Sequence, residues 1–325
     1  MPDPAPHDHD HDRRHDHAHG QGQGHAHGHH QHGPANYDRA FLIGIALNAA
    51  FVAAEVVYGF RANSLALLAD AGHNLGDVLG LAAAWVAASL VKRRPSARYT
   101  YGLRRTTILA SLGNAMLLLV ASGAIALEAF QRLGTPQPVV GTTVIWVALA
   151  GIVVNGATAV GFVSGRKRDL NIRAAFTHMA ADALIALGVA LSGAAILFTG
   201  WQWLDPVVGL VIAAVIVVGT WSLLRDSVNL ALDAVPTHID HDAIVAYLGR
   251  LPGVTEVHDL HIWAMSTTEI ALTAHLVRPQ AGLDDQLLTQ ACRELTERFG
   301  IGHATLQVEA GDPAHPCALA PSEVV

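Results

Sequence analysis

The sequence is short of charge. Asp, Glu, Lys and Arg make up 14% of its 325 residues, against about 25% in an ordinary soluble domain. The deficit is local: residues 40–225 are strongly apolar, whereas 236–312 have the composition of a soluble domain. The chain therefore divides into a membrane region and one soluble domain. Cysteine is also scarce, with Cys292 and Cys317 alone. Two are too few for a disulfide framework, and neither lies in a C-x-x-C pair, so the soluble domain is compatible with a reducing cytosol. The N-terminus lacks the basic-then-apolar form of a cleavable signal peptide. No H-E-x-x-H motif occurs, the arrangement an intramembrane zinc protease would use, and the chain does not read as an enzyme with a resident cofactor. The formal charge of −7 counts all 20 histidines as neutral and identifies no partner; nucleic acid is not expected as one.

Histidine is the residue in excess. Eleven of the 20 lie in residues 1–36, mixed with Asp and Gly. A segment of that composition cannot bury a core and should be disordered. Irregular spacing and interleaved Asp argue against a purification tag; a loose metal-binding tail is favoured over a merely solvated polar one.

Six apolar spans follow, near 39–60, 65–90, 105–130, 139–164, 172–199 and 205–225, each close to the roughly 20 residues that cross a bilayer. The loop between spans two and three carries Lys92, Arg93, Arg94, Arg98, Arg104 and Arg105, and that between four and five Arg166, Lys167, Arg168 and Arg173. The other loops hold Arg61, Arg132 and no basic residue. The positive-inside rule makes the two basic loops cytoplasmic, and an even number of spans puts both termini there too. After Pro236 the pattern changes to αββαβ, with a turn near Ser266–Thr267, which suggests a small open sheet with helices on one face. The expected segments are a tail over 1–36, a transmembrane domain over 37–228, a soluble domain over 236–312 and a short tail over 313–325.

Chemistry enters where it costs most. His73 and Asp77 stand at i and i+4 in the middle of span two, and His178 and Asp182 repeat that spacing in span five. On a helix, each pair shares a face. Ionisable residues at such depth mark ion pathways and proton relays. One such pair also serves as an interhelical hydrogen bond or internal ion pair; two copies beside a histidine-rich tail favour a metal. Two imidazoles and two carboxylates in a tetrahedron suit Zn²⁺, and the same set accepts Co²⁺, Fe²⁺, Ni²⁺ or Mn²⁺. Asn48, Asn114 and Asn155 read as glue between helices. Glu55 and Asp70 fit either a proton or cation path or a structural pairing.

Several further motifs fall in a fixed order: Asn48, Phe51, Glu55 and Gly59 in span one; Ser64, Leu65, Asp70, Ala71, His73 and Asp77 in span two; then "YTYGLRR" at 99–105, His178 with Asp182, "DP" at 205–206, "LDAVP" at 232–236 and "HDLHIW" at 258–263. With these, the chain beyond residue 36 resembles the cation diffusion facilitator family over nearly its full length. The resemblance implies an all-α bundle of six transmembrane helices with a small cytoplasmic, metallochaperone-like α+β domain, assembled as a homodimer. It implies that His73, Asp77, His178 and Asp182 form the transport site. Some members have Asp at the position of His73, and the His form is associated with zinc over cadmium. His178 argues against the manganese-type branch. The loop "KRRPSARYTYG" has neither histidine nor acid, so the further metal site that some members carry there is expected to be absent. The resemblance also implies cytoplasmic zinc ligands at His258, His275, His303 and Glu309 near the dimer interface. Cys317 and His238 are further neighbours to consider. His261 is left out, because on a regular strand it faces away from His258.

The expected function is a proton-coupled secondary transporter that exports Zn²⁺ from the cytoplasm by Zn²⁺/H⁺ antiport with alternating access. Zn²⁺ is then both cargo and the ligand by which the soluble domain senses cytoplasmic metal. In a bacterium the host would be the inner membrane. The alternative is a membrane metal sensor without transport, which would need no paired ligands in mid-membrane. A passive channel is disfavoured, since four strong ligands would hold an ion too long for fast conduction.

Overall fold

The computed structural model describes residues 37–162, 170–279 and 284–321. The histidine-rich segment 1–36, the basic residues Arg166, Lys167 and Arg168, and residues 322–325 lie outside the described residues. Six long helices come first: α1 (Tyr37–Ala62), α2 (Leu65–Val91), α3 (Thr106–Gly134), α4 (Gly141–Phe162), α5 (Leu170–Thr199) and α6 (Leu204–Ala231). The shortest has 22 residues, which at 1.5 Å each gives about 33 Å, enough for the hydrocarbon core. Helices α2 to α6 each contain an apolar stretch long enough to cross a membrane. Their outer faces carry Trp85, Val120, Trp146 and Phe198, and α1 adds Phe60, all at least 65% exposed. Such a surface is a liability in water and the proper exterior in lipid; the chain is an integral membrane protein. Trp201 and Trp203 stack at the α5–α6 turn, a position suited to the membrane–water boundary.

Helices α2, α3 and α6 pack together, as do α4 and α5, whereas α2 and α5 meet only briefly. Small residues set the close approaches. A Cβ on Gly141 would lie 2.7 Å from the Gly193 carbonyl oxygen, and one on Gly76 would collide with Leu118 Cδ2. The start of α2 is fixed by a buried carboxylate. Ser64 caps the helix by accepting from the Leu67 amide at 3.2 Å. Asp205, from the first turn of α6, accepts from the Leu65 amide at 2.6 Å, the Ala66 amide at 3.4 Å and the Ser64 hydroxyl at 2.5 Å. A carboxylate there meets the positive end of the α2 dipole. The "DP" motif thus locks the α1–α2 turn to α6, two turns of helix before His73.

The C-terminal domain is αββαβ: α7 (His241–Leu248), β1 (Glu256–Ala264), β2 (Ile270–Val277), α8 (Asp285–Phe299) and β3 (Ile301–Glu309). The strand order is β1-β2-β3, with β1/β2 antiparallel and β2/β3 parallel. A tight turn suffices for the first connection, and the second needs the α8 crossover. Ile244, Leu248, Leu272, Leu276, Leu295 and Ile301, from both helices and the sheet, form one fully buried cluster. Asp240 and Asp284 cap α7 and α8, and Gly300 ends α8 at φ 72°, a left-handed position that glycine fills without strain.

Strand β1 is not regular. Its register slips between His258, opposite His275, and His261, opposite Thr273. The extra residue is Asp259, held at φ 49°. Residues opposite one another in an antiparallel pair share a face, so the bulge turns His261 to the same face as His258. The sequence expectation of opposite faces is corrected; its premise of regular pleating fails at this bulge.

The domain meets the membrane region through the β1–β2 turn. Arg104 pairs with Glu269 at 2.6 Å, and the Thr267 amide donates to Thr107 Oγ1 at 3.0 Å. Arg105 pairs with Asp233, just past α6.

The glycine contacts predict that Gly141→Ala forces α4 and α5 apart. It should lower the thermal unfolding midpoint of the detergent-solubilised protein by an amount equivalent to roughly 1–3 kcal/mol. Gly156→Ala, whose Cβ would meet open space, should leave the midpoint unchanged. Equal effects would contradict the packing.

Candidate metal centre

The repeated spacing places each ligand pair at the ninth and thirteenth residues of its helix, α2 or α5. Four residues span about 6 Å of helix, so two such pairs can meet with histidine opposite carboxylate. They do. His73 Nε2 lies 3.1 Å from Asp182 Oδ1, and His178 Nε2 lies 3.1 Å from Asp77 Oδ2. Within each helix the His–Asp distances are longer, 3.9 Å for His73–Asp77 and 3.7 Å for His178–Asp182. The two rings meet edge to face, with centroids 5.8 Å apart. All four ligand atoms lie within 4.8 Å of one another.

This set fits a tetrahedral ion. Bonds of about 2.0–2.1 Å place ligand atoms about 3.3 Å apart, and the two cross-helix contacts already have nearly that length. Asp182 is 1% exposed, and its Oδ2 has no hydrogen-bond donor among the described residues. A buried carboxylate oxygen without a donor is the group a cation would satisfy. The surroundings are also polar. Asn74, the residue after His73, donates to Glu55 Oε2 at 3.0 Å, so α1 is tied to α2 beside the site. Asp70, one turn before His73, is 1% exposed and interacts with Glu55, which is fully buried.

A second cluster lies in the C-terminal domain. Register places His258 opposite His275, and their rings meet edge to face at 5.3 Å. Glu309, at the end of β3, bridges them: Oε1 is 3.0 Å from His275 Nδ1, and Oε2 is 3.4 Å from His258 Nε2. Cys317 Sγ lies 3.5 Å from His275 Nδ1. The four ligand atoms lie within 4.8 Å of one another. Burial opposes the charge on Glu309, but hydrogen bonds from Cys317 and Gln307 and the charges of His258 and His275 outweigh it and hold the carboxyl below its usual range. At Cys317 a hydrogen bond from the Leu319 amide favours the thiolate. Burial and the negative charges of Glu309 and Asp259 outweigh it and push the thiol up.

His303 is placed elsewhere. On β3 it sits opposite Ala271, whereas Gln307 sits opposite His275. Four strand residues separate the two positions, about 13 Å at 3.3 Å each. The His303 side chain is exposed and its ring meets Tyr101 edge-on at 5.6 Å. The structure thus gathers His258, His275 and Glu309 and sets Cys317, not His303, beside them. His238 lines a separate cleft with Asp226 and Asn229. His261 shares that face but stays outside the cluster: it sits opposite Thr273, further along the strand, and pairs with Asp259 at 2.9 Å. The only sequence signal for Cys317 is an isolated cysteine in "HPC"; the return of the chain after β3 brings it into place.

Comparison with known proteins covers most of the chain. Residues 41–230 match the cation efflux transmembrane domain, and 236–311 match the cytoplasmic domain of cation efflux proteins. The chain is 35% identical over 288 residues to the metal cation efflux system protein CzcD of Cupriavidus metallidurans, covering 88% of this chain and 90% of that one. It is 35% identical over 282 residues to the zinc transporter ZitB of Escherichia coli, covering 86% and 90%. It is 31% identical over 297 residues to a cadmium, cobalt and zinc/H⁺–K⁺ antiporter of Bacillus subtilis, covering 89% and 94%.

The placement of His303 yields a direct test. Zinc binding would be measured by equilibrium dialysis on chain lacking residues 1–36 and carrying Asp77→Ala. His275→Ala should weaken binding by about tenfold or more, since even an outer partner is worth about that much. His303→Ala should leave it unchanged. Equal losses would put His303 among the ligands.

Proposed function

The chain belongs to the cation efflux family of metal transporters, and from that premise we propose that it exports divalent metal, zinc foremost, in exchange for protons. The observation that carries this reading is the crossed pairing of two imidazoles with two carboxylates between α2 and α5. The Nε2 atoms that touch the carboxylates are the same atoms that would bind the metal. A proton and a metal ion therefore compete for one position on each imidazole, and loading metal expels protons.

The cycle uses that competition. Zn²⁺ enters from the cytoplasm and is held by His73, Asp77, His178 and Asp182. The helices shift and the site faces outward. Protons arriving from outside neutralise the carboxylates and charge the imidazoles, which weakens the site and frees the metal. Histidine titrates near physiological pH, so modest changes in proton activity drive the exchange. The protonated site then returns inward. Zinc is favoured by the two-nitrogen, two-oxygen donor set. Two of the relatives point the same way, one being named a zinc transporter and another an antiporter of cadmium, cobalt and zinc with protons and potassium.

The rest of the chain takes its place around this cycle. Both termini lie in the cytoplasm, as the basic loops require, and two copies of the chain associate as a homodimer. The histidine-rich segment 1–36 gathers metal near the entrance. His258, His275 and Glu309 hold a metal ion that reports cytoplasmic zinc to the transport region through the Arg104–Glu269 contact.

Zinc flux into proteoliposomes under an imposed pH gradient tests the proposal. Wild type should accumulate zinc against a proton flow, and Asp77→Ala and Asp182→Ala should fall to the rate of protein-free vesicles. Transport by both variants at the wild-type rate would make the paired motifs structural. Binding without flux in wild type would favour a sensor.

A further inference from the structure

The C-terminal cluster holds more than its histidines. His258 is 7% exposed at the side chain, and neither ring nitrogen has a hydrogen-bond partner among the described residues. Its closest acidic neighbours, Glu256 at 3.6 Å and Glu309 at 3.4 Å, are near enough to help hold a cation and too far for good hydrogen bonds. A buried imidazole left in that condition is costly, and a metal ion at its nitrogen would remove the cost.

His275 is oriented for the same purpose. Asp259, at the bulge, directs Oδ2 to His275 Nε2 at 3.4 Å. Its other nitrogen, Nδ1, then faces Glu309 and Cys317. A carboxylate behind an imidazole fixes the ring and raises its basicity toward a metal on the far side. This gives the β1 bulge a use: it places a carboxylate behind the ring where a regular strand would not.

Cys317 comes from the segment beyond β3. The hydrogen bonds of that segment are local, from the Ala314 and His315 amides to Asp312 and from the Ala320 amide to the Cys317 carbonyl. Among the described residues 312–321, Cys317 is the one whose polar contacts reach the sheet. We propose that Cys317 is a metal ligand, and that the ion it shares with His258, His275 and Glu309 fastens residues 310–321 to the sheet as a strap within one subunit. The proposal rests on the reading that this cluster binds metal. It adds the fourth ligand and what ligation does. The thiol gives its proton to water as the metal–sulfur bond forms, and a sulfur ligand biases the site toward Zn²⁺, Co²⁺ and Cd²⁺ over Mg²⁺ and Mn²⁺. Metal occupancy becomes the docking or release of a surface segment.

The test uses the full chain in detergent, carrying Asp77→Ala, with Co²⁺ as the probe. Wild-type ligands should give a thiolate-to-cobalt charge-transfer band in the near ultraviolet. The band should vanish in Cys317→Ser and persist in Cys292→Ser. Zinc should slow amide exchange over 310–321 in the parent and not in Cys317→Ser. Cobalt bound in a His258-dependent way without the band would overturn Cys317 as a ligand and leave the cluster standing. No His258-dependent cobalt binding would overturn the cluster itself. Equal slowing of exchange in both proteins would overturn the strap.

Discussion

The structure turns on two contacts between α2 and α5, His73 with Asp182 and Asp77 with His178. These helices approach each other over few residues, and this polar crossing is where they meet. Placing two imidazoles and two carboxylates at that depth is expensive, and the surrounding fold reduces the cost by holding them in reach of one another. Asp205 fixes where α2 begins, which sets the height of His73 and Asp77. Close glycine contacts hold α5 against α4, which sets the height of His178 and Asp182. The four side chains therefore come from two helices that are anchored mainly on other neighbours, α2 on α3 and α6, and α5 on α4. A metal ion bound there would bridge α2 and α5, and its release would remove that bridge. The proposed exchange needs a link of that removable kind.

The C-terminal domain repeats the pattern outside the long helices. It too brings two imidazoles and a carboxylate together, across neighbouring strands rather than helices, and a thiol from a returning segment lies beside them. The domain is not an independent appendage. Its β1–β2 turn grips the start of α3 through Glu269 and Thr267, and α3 packs on α2. A change in the sheet thus has a short, contiguous route toward the helix that carries His73 and Asp77.

What was legible in the sequence follows from which distances are local. The HxxxD spacing is read directly because an α-helix fixes the relation of i to i+4, and the αββαβ order is read from periodicities of similar range. That the two pairs cross, histidine to carboxylate, depends on how α2 and α5 meet, and no local pattern contains it. The same limit accounts for His303 and Cys317. Strand register puts His303 about 13 Å along β3 from the level of His275, and register is a tertiary property. Cys317 joins the cluster through a turn beyond the last strand, where one cysteine among prolines and alanines carries no periodic signal. Asp259 reads inside "HDLHIW" as one more residue; the strand register and its positive φ reveal the bulge that sets it behind His275 and turns His261 to the shared face. Asp205 likewise stood in a short "DP" motif whose purpose, capping α2 from another helix, appears only in three dimensions.

The central claim is that a metal ion is held between α2 and α5. Anomalous diffraction at the zinc absorption edge from zinc-soaked crystals tests it most directly. The account predicts a peak within about 2.0–2.2 Å of His73 Nε2, His178 Nε2 and one oxygen each of Asp77 and Asp182, with the His–Asp contacts opened around it. Zinc confined to the C-terminal domain, with those contacts unchanged, would contradict it.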